Sequence, residues 1–439
     1  MIYFLFLLIP LDEDFLFMLD YLDARNVLNI PEVAPYSFEV LKSKIRNPEI
    51  EEERFYLNYL ERYFKGVKEK ALRFYPQVVF YPDSFLFRCN FLIYGKLRNL
   101  EYTALHRANF FKGFDTLSFD GKPWKEKIIV EIPEARISMN FSWFKVFIGR
   151  ARTSIGHFWQ DGLFLSSPVG IDQAGYYVDI LRYLKFYYML GFLERGRYFA
   201  FHRLAYRTRR LRIGVSEGVV MSDYFFPIYL NPVAFYYVLQ WNNRTDHNIV
   251  WSADISYYFN KNRIYTELLV DDFSYERDSP DKLGVTAGVF ITQFKKIRLR
   301  AEYTAIQKWV YAHRIDENNY TIRGRLLGHF LGPDGDILSL EISLPFIKEY
   351  NRIFALIQHR RKGEGSIWVD YTEEKGEIYP PFPSGVVETS ILLKIGTIFF
   401  IGRFYERVEA GIKNVYNKDH TRGEDESLFI LKIQSILRF

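Results

Sequence analysis

The chain has 439 residues, with 58 Lys and Arg against 53 Asp and Glu, and 18% of it is Phe, Tyr or Trp. A net charge of +5 with no concentrated basic block argues against a nucleic-acid partner. The single cysteine, Cys89, excludes an internal disulfide framework and a cysteine-built metal site.

The first stretch, MIYFLFLLIP, is apolar but lacks a basic region and a small-residue cleavage site, so residues 1–11 read as the remnant of a signal peptide. Residues 12–75 have helical spacing. Phe15, Met18, Leu19 and Leu22 share one face of a first helix, which Pro31 and Pro35 end. Ser37 is placed to cap a second helix through Ile45. Asn47-Pro48 opens a third with Tyr56, Tyr59, Leu60 and Tyr63 on one face. A bundle of about sixty residues has little core of its own, so it is expected to pack on something larger.

From Gln77 the period changes to two. In His247–Tyr258 the residues Ile249, Trp251, Ala253, Ile255 and Tyr257 alternate with a set containing Ser252, Asp254 and Ser256. The first set is assigned to lipid and the second to a lumen. Around Ile264–Asp271, Lys296–Thr304 and Asp336–Leu344 the same alternation places Glu267, Asp271, Arg298, Arg300 and Glu302 inward. Eighteen such segments can be laid between residues 77 and 439, an even number, as single-chain bacterial barrels require. Short turns follow the even strands, for example Arg98-Asn99, Thr208–Arg210 and Phe259–Lys261. Long connections follow most odd strands: 112–126, 153–173, 222–246, 273–282, 310–335, 362–384 and 414–426. Periplasmic turns and extracellular loops of a barrel differ in this way, and a soluble sandwich has no reason for it. The last segment, SLFILKIQSILRF, has Phe429, Leu431, Ile433, Leu437 and Phe439 on one face. An alternating strand ending in Phe is what a closing strand handed to a barrel-assembly machinery looks like. The longest uncharged run, Tyr224–Asn243, is broken by Pro227 and Pro232, so a helical span is not expected.

Several segments resemble the capsule assembly protein Wzi family of outer-membrane barrels. LDEDFLFMLDYLDARNVLNIPEVAPYSFEVLKSKI resembles that family's helical amino terminus. FIGRARTSIGHFWQDGLFLSSPVG resembles its Gly-Arg motif and the following loop through Gly149, Arg150, Gly156, Leu165 and Ser166, with Ile155 where an aromatic is expected. His202, Glu217, Asn231, Pro232, Asp271 and Asp272 follow in order, and LGHFLGPDGDILSLEI is the most specific match. The resemblance runs along nearly the whole chain. It implies a monomeric eighteen-stranded barrel with a periplasmic helical bundle, acting as a surface lectin for capsular polysaccharide.

The eight histidines are dispersed, with no zinc-ligating spacing, and neither a nucleophile elbow nor a phosphate-cradling Gly-Lys-Ser/Thr motif occurs, so no catalytic site, metal or cofactor is assigned. The long loops carry what a sugar reader needs: aromatic faces for the ring and planar polar groups for its hydroxyls. The candidates are His157, Trp159 and Asp161; Trp241 and Asn242; Trp309, Tyr311 and Arg314; His329, Asp334 and Asp336; and Trp368 and Tyr371. Each could equally be the core of its own loop, since long loops pack on themselves or plug a lumen. Gly328, Gly332, Pro333 and Gly335 read as turn formers. The expected molecule is an all-β transmembrane barrel of about 18 antiparallel strands over residues 76–439, with a periplasmic helical segment at 12–75. Its partners are outer-membrane lipid and surface polysaccharide, which it helps assemble or retain. A porin-like sugar channel and a barrel without specific ligand are the alternatives.

Overall fold

In the computed structural model the described residues are 13–28, 33–34, 48, 53–58, 70–114, 119–125, 127–156, 158–223, 226–274, 279–294, 296–374, 376–402 and 404–437. Eighteen antiparallel strands close into one barrel. In chain order they are β1 Lys70–Tyr81, β2 Ser84–Leu97, β3 Leu100–Lys112, β4 Ile128–Asn140, β5 Phe144–Ala151 and β6 Ile171–Leu181. Next come β7 Leu184–Glu194, β8 Arg197–Arg207, β9 Leu211–Met221, β10 Asn248–Phe259, β11 Asn262–Asp272 and β12 Lys282–Phe294. The last six are β13 Ile297–Ile306, β14 Gly335–Phe346, β15 Lys348–Lys362, β16 Glu388–Ile401, β17 Phe404–Tyr416 and β18 Glu426–Leu437. Each strand pairs with its sequence neighbours, and β18 returns to β1 through Gln77↔Ile436 to Phe80↔Ile433. Among the described residues no helix is long and apolar enough to cross a membrane. Crossing is by strands.

β1 begins seven residues before the period-two pattern becomes legible. Pro76 lies inside it, just beyond the last pair that β1 makes with β18. A proline has no N–H for a ladder, so it is tolerated where one neighbour is missing. The connections after even strands hold one to three residues. Those after odd strands reach from 113 to 127, 152 to 170, 222 to 247, 273 to 281, 307 to 334, 363 to 387 and 417 to 425, with two-residue turns at 82–83 and 195–196. The barrel therefore has a short-turn rim and a long-loop rim.

The faces follow the alternation. In β10 Ala253, Ile255 and Tyr257 are exposed while Ser252, Asp254 and Ser256 are buried. Inside, Asp254 receives both amino groups of Arg203 from β8, at 2.6 and 3.0 Å. One expectation in this strand needs correction. Ile249 and Trp251 do point outward, but they do not face lipid directly, because the connection 222–247 folds down over them.

Helix α1, Glu13–Ala24, lies within the short-turn end of the lumen. Asp20 bridges Arg263 and Arg300 at 2.8 and 2.7 Å, and Asp23 takes Arg212 at 2.5 Å and the Tyr258 hydroxyl at 2.7 Å. Buried Phe17, Leu19 and Leu22 carry the helix's apolar packing. Residues 53–58 are also helical, and Tyr56 meets Tyr21 edge-on at 5.5 Å. The expected second helix and Phe439 lie outside the described residues.

Candidate functional site: the closed lumen and the long-loop face

The connection 152–170 starts from a glycine that the backbone requires. Gly149 has φ +128°, and a Cβ there would sit 2.2 Å from the Ala135 carbonyl, so only glycine lets β5 bend beside β4. Arg150, next to it, holds Asp172 of β6 at 2.8 Å. From there the chain enters the lumen and is caught by carboxylates on the wall. Glu302 of β13 accepts the consecutive amides of Trp159 and Gln160, at 2.7 and 3.1 Å. Glu267 of β11 accepts those of Leu163 and Phe164, at 2.6 and 3.0 Å. Buried amides must find partners, and a carboxylate that takes two in succession fixes a loop to a wall.

The connection 307–334 then closes over this loop. Tyr311 donates to the Leu163 carbonyl at 2.7 Å and Tyr320 to that of Phe164 at 2.6 Å, their rings stacked at 5.5 Å. Gly328 is needed because a Cβ would meet the Leu163 carbonyl at 2.4 Å. Leu163, Phe164 and Leu165 are buried among Met189, Phe199 and Phe201 of the wall and Val310, Leu327 and Leu331 of the covering loop. A hydrophobic core thus occupies the long-loop end of the lumen along β6 to β11, β13 and β14. Its lower edge meets α1 at Arg300, whose guanidinium lies 5.9 Å from the Trp159 ring, 4.7 Å from that of Phe17 and 2.7 Å from Asp20. Plug loop and helix meet mid-barrel.

The sequence candidates divide by what surrounds them. Trp159 belongs to this plug. Asp161 accepts bonds from the Phe330 amide and the Ser166 side chain, and burial pushes its carboxyl up to about 6. His329 is buried, its Nδ1 accepting from the Leu331 amide at 3.1 Å and its ring stacked on Phe330 at 4.6 Å. Burial holds its pKa down at about 3, so the ring is neutral. Asp334, also buried, clamps three donors: the Gly365 amide at 2.8 Å, and the Ser384 amide and hydroxyl at 2.9 and 2.6 Å. Trp309 is buried edge-on to Tyr371 at 5.2 Å. Asp336 holds Arg361 of the neighbouring strand. These residues build the loops.

Others stay at the surface. Trp368 is 50% exposed on the connection 363–387, which also exposes Tyr379 and Phe382. Arg314 is exposed and paired with Asp246 at 2.5 Å, tying connection 307–334 to connection 222–247. Trp241 and Asn242 sit on helix α2, Tyr236–Asn243, on the outer side of strands β8 to β10, whose inner side carries the plug. His157 lies outside the described residues. So the structure brings half-buried Trp159 and Asp161 and buried His329 to the plug and its cover, packs Trp309 against Tyr371, and leaves Trp241 apart. The sequence does not reveal the capturing carboxylates: alternation marks Glu267 and Glu302 only as interior charges, and no local signal marks which amides they hold. Among the described residues no three His, Cys, Asp or Glu are grouped to hold a metal ion.

A closed antiparallel barrel of eighteen strands, apolar outside and polar inside, defines the class of outer-membrane β-barrels. Within it, the chain has the fold of Wzi, an Escherichia coli outer-membrane protein involved in group 1 capsule assembly and described as a carbohydrate-binding β-barrel. The two superpose with a TM-score of 0.68 over 98% of each chain at 13% identity. OccK10 of Pseudomonas aeruginosa is more distant, at a TM-score of 0.49 and 8% identity over 84% of this chain and 98% of that one. No family model matches the sequence, and no curated protein is similar to it in sequence.

Proposed function

We propose that this barrel binds surface polysaccharide with its long-loop face and helps assemble or retain it at the cell surface, rather than conducting solutes. In this reading the long loops are extracellular, and the amino-terminal segment ahead of β1 sends α1 into the lumen from the periplasmic rim. The protein works as a monomer and not as an enzyme, and β18 is the strand that the barrel-assembly machinery receives. The observation that carries the reading is the occupied lumen: connection 307–334 covers connection 152–170, which meets α1 at Arg300, and this favours the loop face, not a pore, as the place where solute is met. The overall likeness to a carbohydrate-binding barrel supports the same direction.

On that face Trp368, Tyr379 and Phe382 present rings to solvent, and aromatic rings cover the apolar face of sugars. Tyr371, half-buried on the Trp309 ring, and Arg314 supply polar groups nearby in the loop system. Trp159, Asp161, His329 and Asp334 then support the face from below rather than touching ligand. The test is binding of purified folded barrel to the acidic or neutral surface polysaccharide of its own source cells. Trp368→Ala and Tyr379→Ala together are expected to weaken binding at least tenfold while the heat-modifiable gel shift stays unchanged. Unaltered binding in the double variant rules out this face. Failure of the parent protein to bind any surface polysaccharide of those cells removes the lectin reading.

A further inference from the structure

The connection 222–247 does not stand up from the rim. It leaves β9, forms a short 3-10 turn at Pro227–Leu230 and the helix α2, and folds down the outside of the barrel wall. Its inner side is buried: Tyr229 and Tyr236 pack on Ala200, Val219, Met221 and Ile249, outward residues of β8, β9 and β10. Tyr188 of β7 donates to the Tyr229 carbonyl at 3.1 Å. Below lies a polar group that no lipid-facing wall should carry. Glu217 of β9 points outward, yet accepts the first two amides of α2, Tyr236 and Tyr237, at 2.8 and 3.0 Å. It also takes Nε1 of Trp251 at 2.9 Å and faces Nε2 of His202 at 3.1 Å, whose ring lies 4.5 Å from that of Tyr236. A carboxylate on the outer face is costly in hydrocarbon unless its bonds are satisfied. The connection satisfies them.

Its outer side is the reverse. Val233 is 79%, Trp241 74% and Phe235 71% exposed, with Leu230, Tyr237 and Val238 exposed beside them. No charged residue occurs from Tyr224 to Asn243, and charges resume at Arg244 and Asp246, at the rim. Soluble surfaces rarely show so large a contiguous apolar patch. The patch is continuous with the outward wall below it, where Leu204, Val215 and Ile255 are also exposed. Two facts set its height. The neighbouring turn at 195–196 has only two residues, so the wall carries no loop there. From Met221 down to Glu217 is four residues, a descent of about 10 Å for strands tilted ~40°.

We propose that residues 226–243 form a strap embedded in the membrane, its outer face in contact with the acyl chains of the leaflet at the long-loop rim, and the Glu217–His202 pair its latch. The strap restores an apolar surface over the stretch of wall where the strands are polar. On the orientation proposed above, that leaflet is the outer one. The occupant is lipid rather than a second copy of the chain, because the patch continues the barrel's lipid-facing band without a charged residue, its exposed polar side chains being the neutral Asn231, Asn242 and Asn243.

Spin labels on full-length protein in phosphatidylcholine vesicles test this, each placed by one cysteine in a Cys89→Ser background. Trp241→Cys and, independently, Phe235→Cys are expected to favour collision with oxygen over a water-soluble nickel chelate, as at Ala253→Cys on the bare wall. Trp368→Cys should show the opposite preference. Chelate-dominated collision at both strap sites, with Ala253 lipid-like and Trp368 water-like, overturns the strap and leaves the barrel intact. Protection from both reagents together with a dimer in gel filtration also overturns it, in favour of a second copy. A water-like Ala253 label is the separate result that removes the membrane barrel itself.

Discussion

At Ala253 a single methyl stands on the outward face of β10, and one residue later Asp254 points inward to Arg203. The two positions report opposite environments. Ala253→Arg is expected to cost about 2–4 kcal/mol if it lies near the bilayer midplane. Asp254→Asn takes the bidentate carboxylate from a buried guanidinium, and breaking such a pair costs about 3–5 kcal/mol. Denaturant titration of folding into bilayers measures both, and a neutral Ala253→Arg would reverse the face assigned to this strand. Asp161 and His329 give a pH test with opposite signs. The Asp161 carboxyl is raised to about 6 by burial, so the folded state binds the extra proton between its ordinary value of 3.8 and 6. Its contribution to stability is present at low pH and is lost as pH rises through 6. His329 is held down at about 3 against 6.5, so the unfolded state binds the extra proton and stability rises with pH across that window. Relative to the parent protein, Asp161→Asn should therefore make the denaturation midpoint climb more steeply with pH between 4 and 6, and His329→Gln less steeply. Equal slopes in all three would place both groups in water. Neither role was legible in the sequence, where Asp161, His329 and Asp334 resembled sugar-binding side chains. A buried loop clamp and a ligand contact use the same residue types, and only burial separates them.

Three glutamates use one device at the level of elements. Glu302 holds amides 159 and 160, Glu267 holds 163 and 164, and Glu217 holds 236 and 237 from the other side of the wall. Each docks a long connection to a rigid strand, inside for the first two and outside for the third. Replacing Glu267 and Glu302 together by Gln should raise amide exchange in residues 158–166 at least tenfold, with little change in the strands. Exchange that rises equally everywhere would mean that the glutamates hold the barrel rather than the plug. Strands and turns were readable in advance because their causes are local: side chains alternate by the pleat, and each hairpin turn closes within a few residues. The connection 222–247 shows where that reading stops. Its lack of charge was visible, and its two prolines argued against a helical span, but whether it stood above the rim or lay along the wall depends on Glu217, His202 and Trp251 on three different strands. Ile249 and Trp251 were given the right face and the wrong neighbour for the same reason. Glu217→Ala removes the acceptor of the first turn of α2 and is expected to loosen residues 226–243 selectively, seen as faster proteolysis within that connection while the heat-modifiable shift persists.

For the molecule as a whole, the plug enters from the long-loop rim and α1 from the short-turn rim, inside a barrel whose wall is wide enough for a pore. The proposed display function needs such a closure, since a plugged barrel offers its loops and not its lumen to a polymer. The most direct measurement is planar-bilayer conductance of the parent protein beside a variant lacking residues 157–166. The parent is expected to insert without stable open steps, and the deletion, provided that it still shows the folded gel shift, to give large ones. Large, steady steps from the parent protein would contradict the closed barrel and restore the porin reading.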